Sequence, residues 1–356
     1  MESYITGRHQ AVLIDGFSSA LVPLLFGVAQ GSVLGPIVFI LYTSPLYELV
    51  RAFGIDCHFF SDDSQIYKIF RILQKRILLG ISQEEACSLL ACCIRAIKGW
   101  AVENKMMLNV GKTDALTVSA VGPKNALVTR PIVPASVIDV SGELITSSPF
   151  VRNLGIIFDS NLKMDKHIDD LVRRGYYHIR RIGKIRKYLD RDTTARLVVA
   201  FVLSLLDNGN SLLSGLLECQ IKRLQLVQNS AARLVNRTPM ADHIMPQLKA
   251  LHWLPVQARI DFKVATLAFR CVHGLAPSYL AELVSLQVPR RGGLRSQADD
   301  LKLVVPPVRR ETRGERAFSS YAPRIWNDLP LSLRSLSSLS SFRSQLKTYL
   351  FKLAFK

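Results

Sequence analysis

Apolar positions recur at different periods along this chain, and the changes of period mark its organisation. Residues 11–22 alternate loosely about Asp15-Gly16, a turn signal between two strand-like runs. A helix is predicted from about Leu34 to Val50. Pro36 falls in its first turn, where the missing N–H would have had no helical partner anyway. Asp56–Phe60 and Gln65–Phe70 read as short strands flanking Ser61-Asp62-Asp63-Ser64, which predicts a hairpin. Between Gln83 and Val102 the residues Leu89, Leu90, Cys93, Ile94, Ile97 and Trp100 share one helical face. Further strands are predicted at Ala115–Ser119, near Ile132–Asp139 and at Val151–Phe158. From Lys166 onward the pattern is mostly helical, ending in an amphipathic basic helix from about Ser340. Strands early and helices late predict an α+β domain followed by an α-helical one.

Punctuation refines this division. Residues 286–316 gather Pro289, Arg290, Arg291, Gly292, Gly293, Pro306, Pro307, Arg309 and Arg310, the composition of a linker or exposed loop. The most apolar stretch, Leu197–Leu217, is interrupted by Asp207, Asn208 and Asn210. Polar groups at that depth are costly in lipid, so a helix buried in protein is expected, and no membrane partner. No internal repeat stands out.

Composition adds a charge asymmetry. The 356 residues are 49% hydrophobic and 21% charged, which suits globular rather than disordered material. Residues 1–150 hold 12 Lys/Arg and 12 Asp/Glu, leaving 34 of the 46 basic and 16 of the 28 acidic residues to 151–356. The whole net charge of +18 therefore belongs to the second half. A one-sided field of that size fits either a phosphate backbone or a solvated basic surface. Arg173, Arg174, Arg180, Arg181, Lys184, Arg186 and Lys187 lie on one helical stretch, where residues three or four apart share a face, and form the candidate nucleic-acid surface. Cys57, Cys87, Cys92, Cys93, Cys219 and Cys271 show no zinc spacing, and no secretory apolar segment opens the chain. Reduced thiols and an intracellular location, nuclear or cytoplasmic, are expected.

The candidate chemistry centres on Asp62 and Asp63. Adjacent carboxylates repel, and an ordinary turn gains nothing from both. They make sense where a divalent cation lies between them and a phosphate, as in two-metal phosphoryl transfer with ions about 4 Å apart. Alone, such a pair is more often a plain Asp-rich turn. Its company changes the weighting. Upstream stands Gly27-Val28-Ala29-Gln30-Gly31-Ser32-Val33-Leu34-Gly35-Pro36. Downstream come Leu108-Asn109-Val110-Gly111-Lys112-Thr113 and Asn153-Leu154-Gly155-Ile156. This ordered series resembles the reverse transcriptase of non-long-terminal-repeat (LINE-like) retrotransposons. The likeness continues through Leu205-Leu206-Asp207, Leu224–Leu234, His252-Trp253-Leu254-Pro255-Val256 and Ala322-Pro323-Arg324-Ile325-Trp326-Asn327, segments with no evident chemistry of their own.

The resemblance implies a partial polymerase palm over residues 1–160, an antiparallel sheet with helices. A helical thumb-like or connecting region over 161–285, the loop 286–316 and a helical tail over 317–356 would follow. It implies Asp62 and Asp63 as catalytic metal ligands for Mg²⁺ or Mn²⁺, and Lys112 beside the triphosphate. Gln30, Gly31 and Phe60 would line the nucleotide and template base, and Leu154-Gly155 would form a primer-grip strand. The implied partners are an RNA template, a DNA primer and deoxynucleoside triphosphates. Ala29 stands where the family has proline, Ser61 where alanine is common and Ser64 where threonine is usual. A further metal-binding aspartate belongs upstream of the segment resembling Ser3–Ser18, and Asp15 is no substitute for it. The ion is therefore expected to be weakly held and the chain inactive alone. The alternative is a non-catalytic nucleic-acid-binding protein using the basic half.

Overall fold

The computed structural model describes residues 2–29, 31–70, 80–118, 136–287, 301–308 and 314–356. These divide into two compact units. One holds the described parts of Met1–Thr117 and Pro131–Pro149, the other those of Val118–Arg130 and Phe150–Lys356. The last change from one unit to the other falls at Pro149/Phe150.

The first unit opens with α1 (Glu2–Ile5) and four two-residue strands, β1 (His9–Gln10), β2 (Leu13–Ile14), β3 (Phe17–Ser18) and β4 (Val22–Pro23). Asp15 and Gly16 form the turn between β2 and β3, both at positive φ. The single helix predicted over Leu34–Val50 is in fact two, α2 (Gly35–Thr43) and α3 (Pro45–Ala52). Pro45 is the reason. It has no N–H to give to Leu41 C=O, which instead takes the Ser44 N–H at 3.4 Å, and proline opens the next helix.

Next come β5 (Asp56–Phe60) and β6 (Asp63–Tyr67), then α4 (Gln83–Glu103). A capping box starts α4: Ser82 Oγ accepts the Glu85 N–H at 3.1 Å, and Glu85 accepts the Ser82 N–H at 2.7 Å. The last pair, β7 (Val137–Val140) and β8 (Glu143–Thr146), closes against α4. The apolar face read from the sequence is the one α4 uses. Ala91, Ile94, Val110, Ile138, Val140 and Ile145 form one small core, and Val50, Ile55, Cys57 and Cys93 another. Burial raises the Cys57 thiol, and burial with the neighbouring Cys57 pushes Cys93 up to about 11, so both behave as apolar core residues. The expected strand at Ala115–Ser119 is only a bridge from Ala115 to Ser147, and Ser119 lies outside the described residues. Among the described residues, strands pair only in antiparallel twos.

The second unit begins with β9 (Phe150–Asn153) and β10 (Ile156–Asp159). Asp159 then sets up the long helix α5 (Asp165–Ile185): its carboxylate accepts the N–H groups of Asn161 and Lys163 at 3.0 Å each and of Met164 at 2.6 Å. There follow α6 (Arg191–Val198), a π segment over Val199–Leu203, α7 (Ser204–Asp207) and a 3₁₀ turn over Asn210–Leu213. The stretch expected as one buried helix is thus broken at its polar residues. Then come α8 (Glu218–Asn236), α9 (Met245–Ala250), α10 (Val256–Val272), α11 (Ser278–Ala281), α12 (Phe318–Asp328), α13 (Leu331–Arg334) and α14 (Leu339–Ala354). One continuous core joins them, with α5 packed on α8 and α10 on both α12 and α14. No helix among the described residues is long and apolar enough to cross a membrane. Much of the expected loop 286–316, including Pro289–Gly293, Arg309 and Arg310, lies outside the described residues.

Candidate nucleotide and nucleic-acid sites

The hairpin built by β5 and β6 places the two aspartates. Pairing is antiparallel, as expected, and runs from Asp56 opposite Tyr67 to Phe60 opposite Asp63, so the second strand is Asp63–Tyr67 rather than Gln65–Phe70. Ser61 and Asp62 make the turn, with Ser61 in the left-handed region at φ 55°. A compact side chain at that φ is tolerable where a bulky one is not. Asp62 therefore occupies the tip and Asp63 the first paired position, both exposed, with Phe60 exposed across the ladder. At the base of the hairpin Arg51 forms an ion pair with Asp56. Among the described residues, no group of three or more His, Cys, Asp or Glu is arranged to hold a metal ion. Among the described residues, the tip offers two carboxylates and no third His, Cys, Asp or Glu joins them.

The other expected substrate residues lie in the same unit. Gly31 adopts φ +81°, and nothing stands within 4 Å of where a Cβ would point. Conformation rather than crowding requires glycine there. Gln30 lies outside the described residues. Lys112 ends a 3₁₀ turn, Val110–Lys112, with its side chain exposed.

Leu154 and Gly155 differ from expectation in local structure. They are not inside a strand but form the two-residue turn between β9 and β10, with φ 46° and 81°. Positive φ at both central positions is the pattern of a type I′ turn, for which Asn-Gly is the usual pair. Leucine is a poor occupant, and an aliphatic residue before glycine reads as strand, which hides the turn in the sequence. Leu154 is 49% exposed rather than part of the core.

In the helical unit, the seven basic residues separate into three groups. Arg180, Arg181, Lys184 and Lys187 are exposed, with Arg181 over the Tyr177 ring at 5.6 Å and Lys187 over Tyr188 at 4.7 Å. Arg186 instead closes the end of α8, donating to Leu234 O at 2.9 Å and Val235 O at 2.8 Å, carbonyls left over by the helix, and to Leu189 O at 2.7 Å. Arg173 and Arg174 converge on Asp170, at 2.6 and 3.5 Å, and Arg152 of β9 joins them at 3.4 Å. Asp170 is 5% exposed. Burial alone would raise its pKa, but the Arg173 hydrogen bond and the Arg152 and Arg174 charges outweigh that and hold it below the usual carboxylate range. Pattern along the chain does not single out Arg152 or Asp170. The one available signal is an acid three and four residues before an Arg-Arg pair.

His167, one turn before Asp170, is buried. Its Nδ1 accepts the Ile157 N–H at 3.4 Å, which leaves the proton on Nε2, an atom with no hydrogen-bond partner among the described residues. Burial lowers its pKa, with the Asp170 charge pulling the other way and Arg152 and Arg174 adding to the lowering. Burial, Arg174 and Arg181 lower His178 as well. A histidine whose folded pKa is depressed contributes stability that is complete above its unfolded value of about 6.5 and is lost as pH falls below it. The thermal midpoint of this unit is therefore expected to drop between pH 7 and pH 5. His167→Gln should flatten that drop, with His178 supplying the remainder. Equal slopes in both proteins by scanning calorimetry would remove His167 from this account.

The chain is similar to an RNA-directed DNA polymerase from the mobile element jockey of Drosophila funebris, 26% identical over 176 residues. That match covers 48% of this chain and 17% of the relative, so the chain spans well under a fifth of the relative's length. No family model matches the chain, and no solved structure matches it.

Proposed function

We propose that this chain is a segment of a non-long-terminal-repeat reverse transcriptase whose β5–β6 hairpin supplies two carboxylates for nucleotidyl transfer. The observation that carries this reading is the tight turn presenting Asp62 and Asp63 side by side and exposed, an arrangement with no structural benefit to the hairpin. The likeness to the jockey polymerase and the ordered Gln30-Gly31, Asp62-Asp63 and Lys112 series support it. Gln30, Gly31 and Phe60 would face nucleotide and template, Lys112 the triphosphate and Leu154-Gly155 the primer. RNA template, DNA primer and deoxynucleoside triphosphates are the proposed partners.

The same geometry argues that the chain alone does not polymerise. Transfer by two metals needs carboxylates converging from separate strands, and among the described residues no third His, Cys, Asp or Glu joins Asp62 and Asp63. Mg²⁺ or Mn²⁺ would be only weakly held there. Each 1.4 kcal/mol of transition-state stabilisation forgone is about tenfold in rate. Purified protein is expected to extend no primer on an RNA template with either ion. Extension that Asp62→Asn abolishes would overturn the claim of inactivity. A second reading, sequence-tolerant binding of nucleic acid through the helical unit, is favoured by the exposed Arg, Lys and Tyr residues along α5.

A further inference from the structure

We infer that Arg152, Arg173 and Arg174 form a phosphate-binding anchor organised by the buried Asp170, and that it grips the phosphodiester backbone of a nucleic-acid strand running along α5. The inference rests on the second reading above and assigns it a specific anchor.

Three guanidinium groups share one carboxylate, which leaves two positive charges in excess at a single point. Asp170 is buried, while the side chains of Arg173, Arg152 and Arg174 are 77%, 51% and 44% exposed. Each guanidinium carries five N–H donors. Asp170 has two oxygens and accepts hydrogen bonds from Arg173 at 2.6 Å and Arg152 at 3.4 Å, while Arg174 contributes an ion pair at 3.5 Å. Most of the donors are therefore not used by Asp170, on side chains that are about half exposed or more. Arginines are costly to order on binding, and a shared buried carboxylate meets part of that cost before any ligand arrives. Planar forks held in this way suit phosphate oxygens.

The continuation of the same helix face selects a polymer over a free ion. At 1.5 Å per residue, Arg180 lies about 10 Å and Lys184 about 16 Å beyond Arg173 along α5. Both are exposed, and Tyr177, 49% exposed beneath Arg181, lies between them and the anchor. A ladder of cations with an interleaved aromatic matches repeating phosphates with a base to stack. Arg186, committed to the end of α8, is not part of it.

Asp170 is a positioning residue, and its removal separates positioning from charge. Asp170→Asn raises the net charge of the site by one. If charge alone mattered, binding would tighten. If the carboxylate organises the arginines, binding weakens despite the added charge. Fluorescence anisotropy of the full chain with a labelled single-stranded RNA, titrated over KCl concentration, reads both possibilities. The expected result is several-fold weaker binding for Asp170→Asn at a far-ultraviolet spectrum like that of the parent. Arg152→Gln, a substitution at a half-exposed side chain with little folding risk, should flatten the logarithmic salt slope by about 0.7, because one phosphate is no longer neutralised. An unchanged slope for Arg152→Gln, or tighter binding by Asp170→Asn, overturns the anchor. If Arg180→Gln with Lys184→Gln still weakens binding in that case, the nucleic-acid reading survives without it. No salt-dependent binding of any strand would overturn both.

Discussion

Trp326→Ala is expected to lower the unfolding free energy of the helical unit by about 3–5 kcal/mol, the range for removing a large buried ring. Trp326 is 0% exposed, at the meeting point of α10, α12 and α14. Its ring centroid lies 6.4 Å from Phe269 and 5.8 Å from Phe342, while Phe269 and Phe342 stack at 4.4 Å. Its Nε1 donates to Leu301 O at 2.7 Å. Alanine would leave a cavity between three helices that cannot easily collapse, and an unpaired carbonyl as well. In a unit of this size each kcal/mol moves the midpoint by roughly 2–4 °C, so a drop of roughly 6–20 °C is expected. Trp326→Phe restores much of the volume but not the hydrogen bond, and should fall between the two. Urea denaturation of the three proteins checks the order. An alanine variant within about 1 kcal/mol of the parent, far below that range, would mean that the aromatic cluster does not hold these helices together.

Two glycines of α5 should respond to alanine with opposite signs. In an open helix position Gly→Ala gains about 0.8–1 kcal/mol, because glycine gives up the most backbone freedom. Gly183 is such a position: it is exposed, and an added Cβ would meet nothing closer than Leu234 Cδ1 at 3.9 Å. Gly183→Ala should stabilise by about that amount. At Gly175 an added Cβ would lie 2.6 Å from Val227 Cγ1 on α8. Valine in a helix has essentially one χ1 rotamer, so it cannot swing aside, and α5 and α8 must separate. Overpacking of that kind costs typically about 1–3 kcal/mol, so after the backbone gain Gly175→Ala should destabilise by up to about 2 kcal/mol. Melting both variants beside the parent tests the pair. Stabilisation by both would show that the α5–α8 packing yields freely.

Local pattern makes part of the molecule legible. The period of Leu89, Cys93, Ile97 and Trp100 locates α4 closely, because that helix buries one face and has its own capping box. The Asp62-Asp63 hairpin is also local, since its two strands adjoin a single turn. What escapes depends on packing between distant segments or on backbone strain. Pro45 is a potential break, but the apolar residues on both sides of Thr43-Ser44-Pro45 read as one helical stretch. Leu154 occupies a conformation its side chain disfavours. Asp170 gains meaning only when Arg152 is brought back from another element.

The tail motifs, which carry no evident chemistry in the sequence, turn out to be packing and capping. Gln225 Oε1 accepts the Val256 N–H at 2.8 Å at the start of α10, and Gln228 Nε2 donates to Leu254 O at 2.9 Å. Asn327 exchanges hydrogen bonds with the Leu303 backbone at 2.8 and 2.9 Å. Asp207 takes the Arg259 guanidinium with both oxygens, one of them at 2.8 Å. All of these segments contribute to, or brace, the one core of the helical unit.

The stacking of Phe269 on Phe342 also sets a timetable for biosynthesis. Domains form as the chain emerges, at about 5–20 residues per second, so roughly 4–15 s separate the synthesis of these two rings. Throughout that interval the buried face of α10, with Ile260, Val264, Ala268 and Phe269, has no α14 to cover it. The core of the unit is therefore complete only after translation of Leu339–Ala354. A message interrupted within that interval yields not a shorter working domain but a chain with its aromatic core laid open, a substrate for chaperones and proteases.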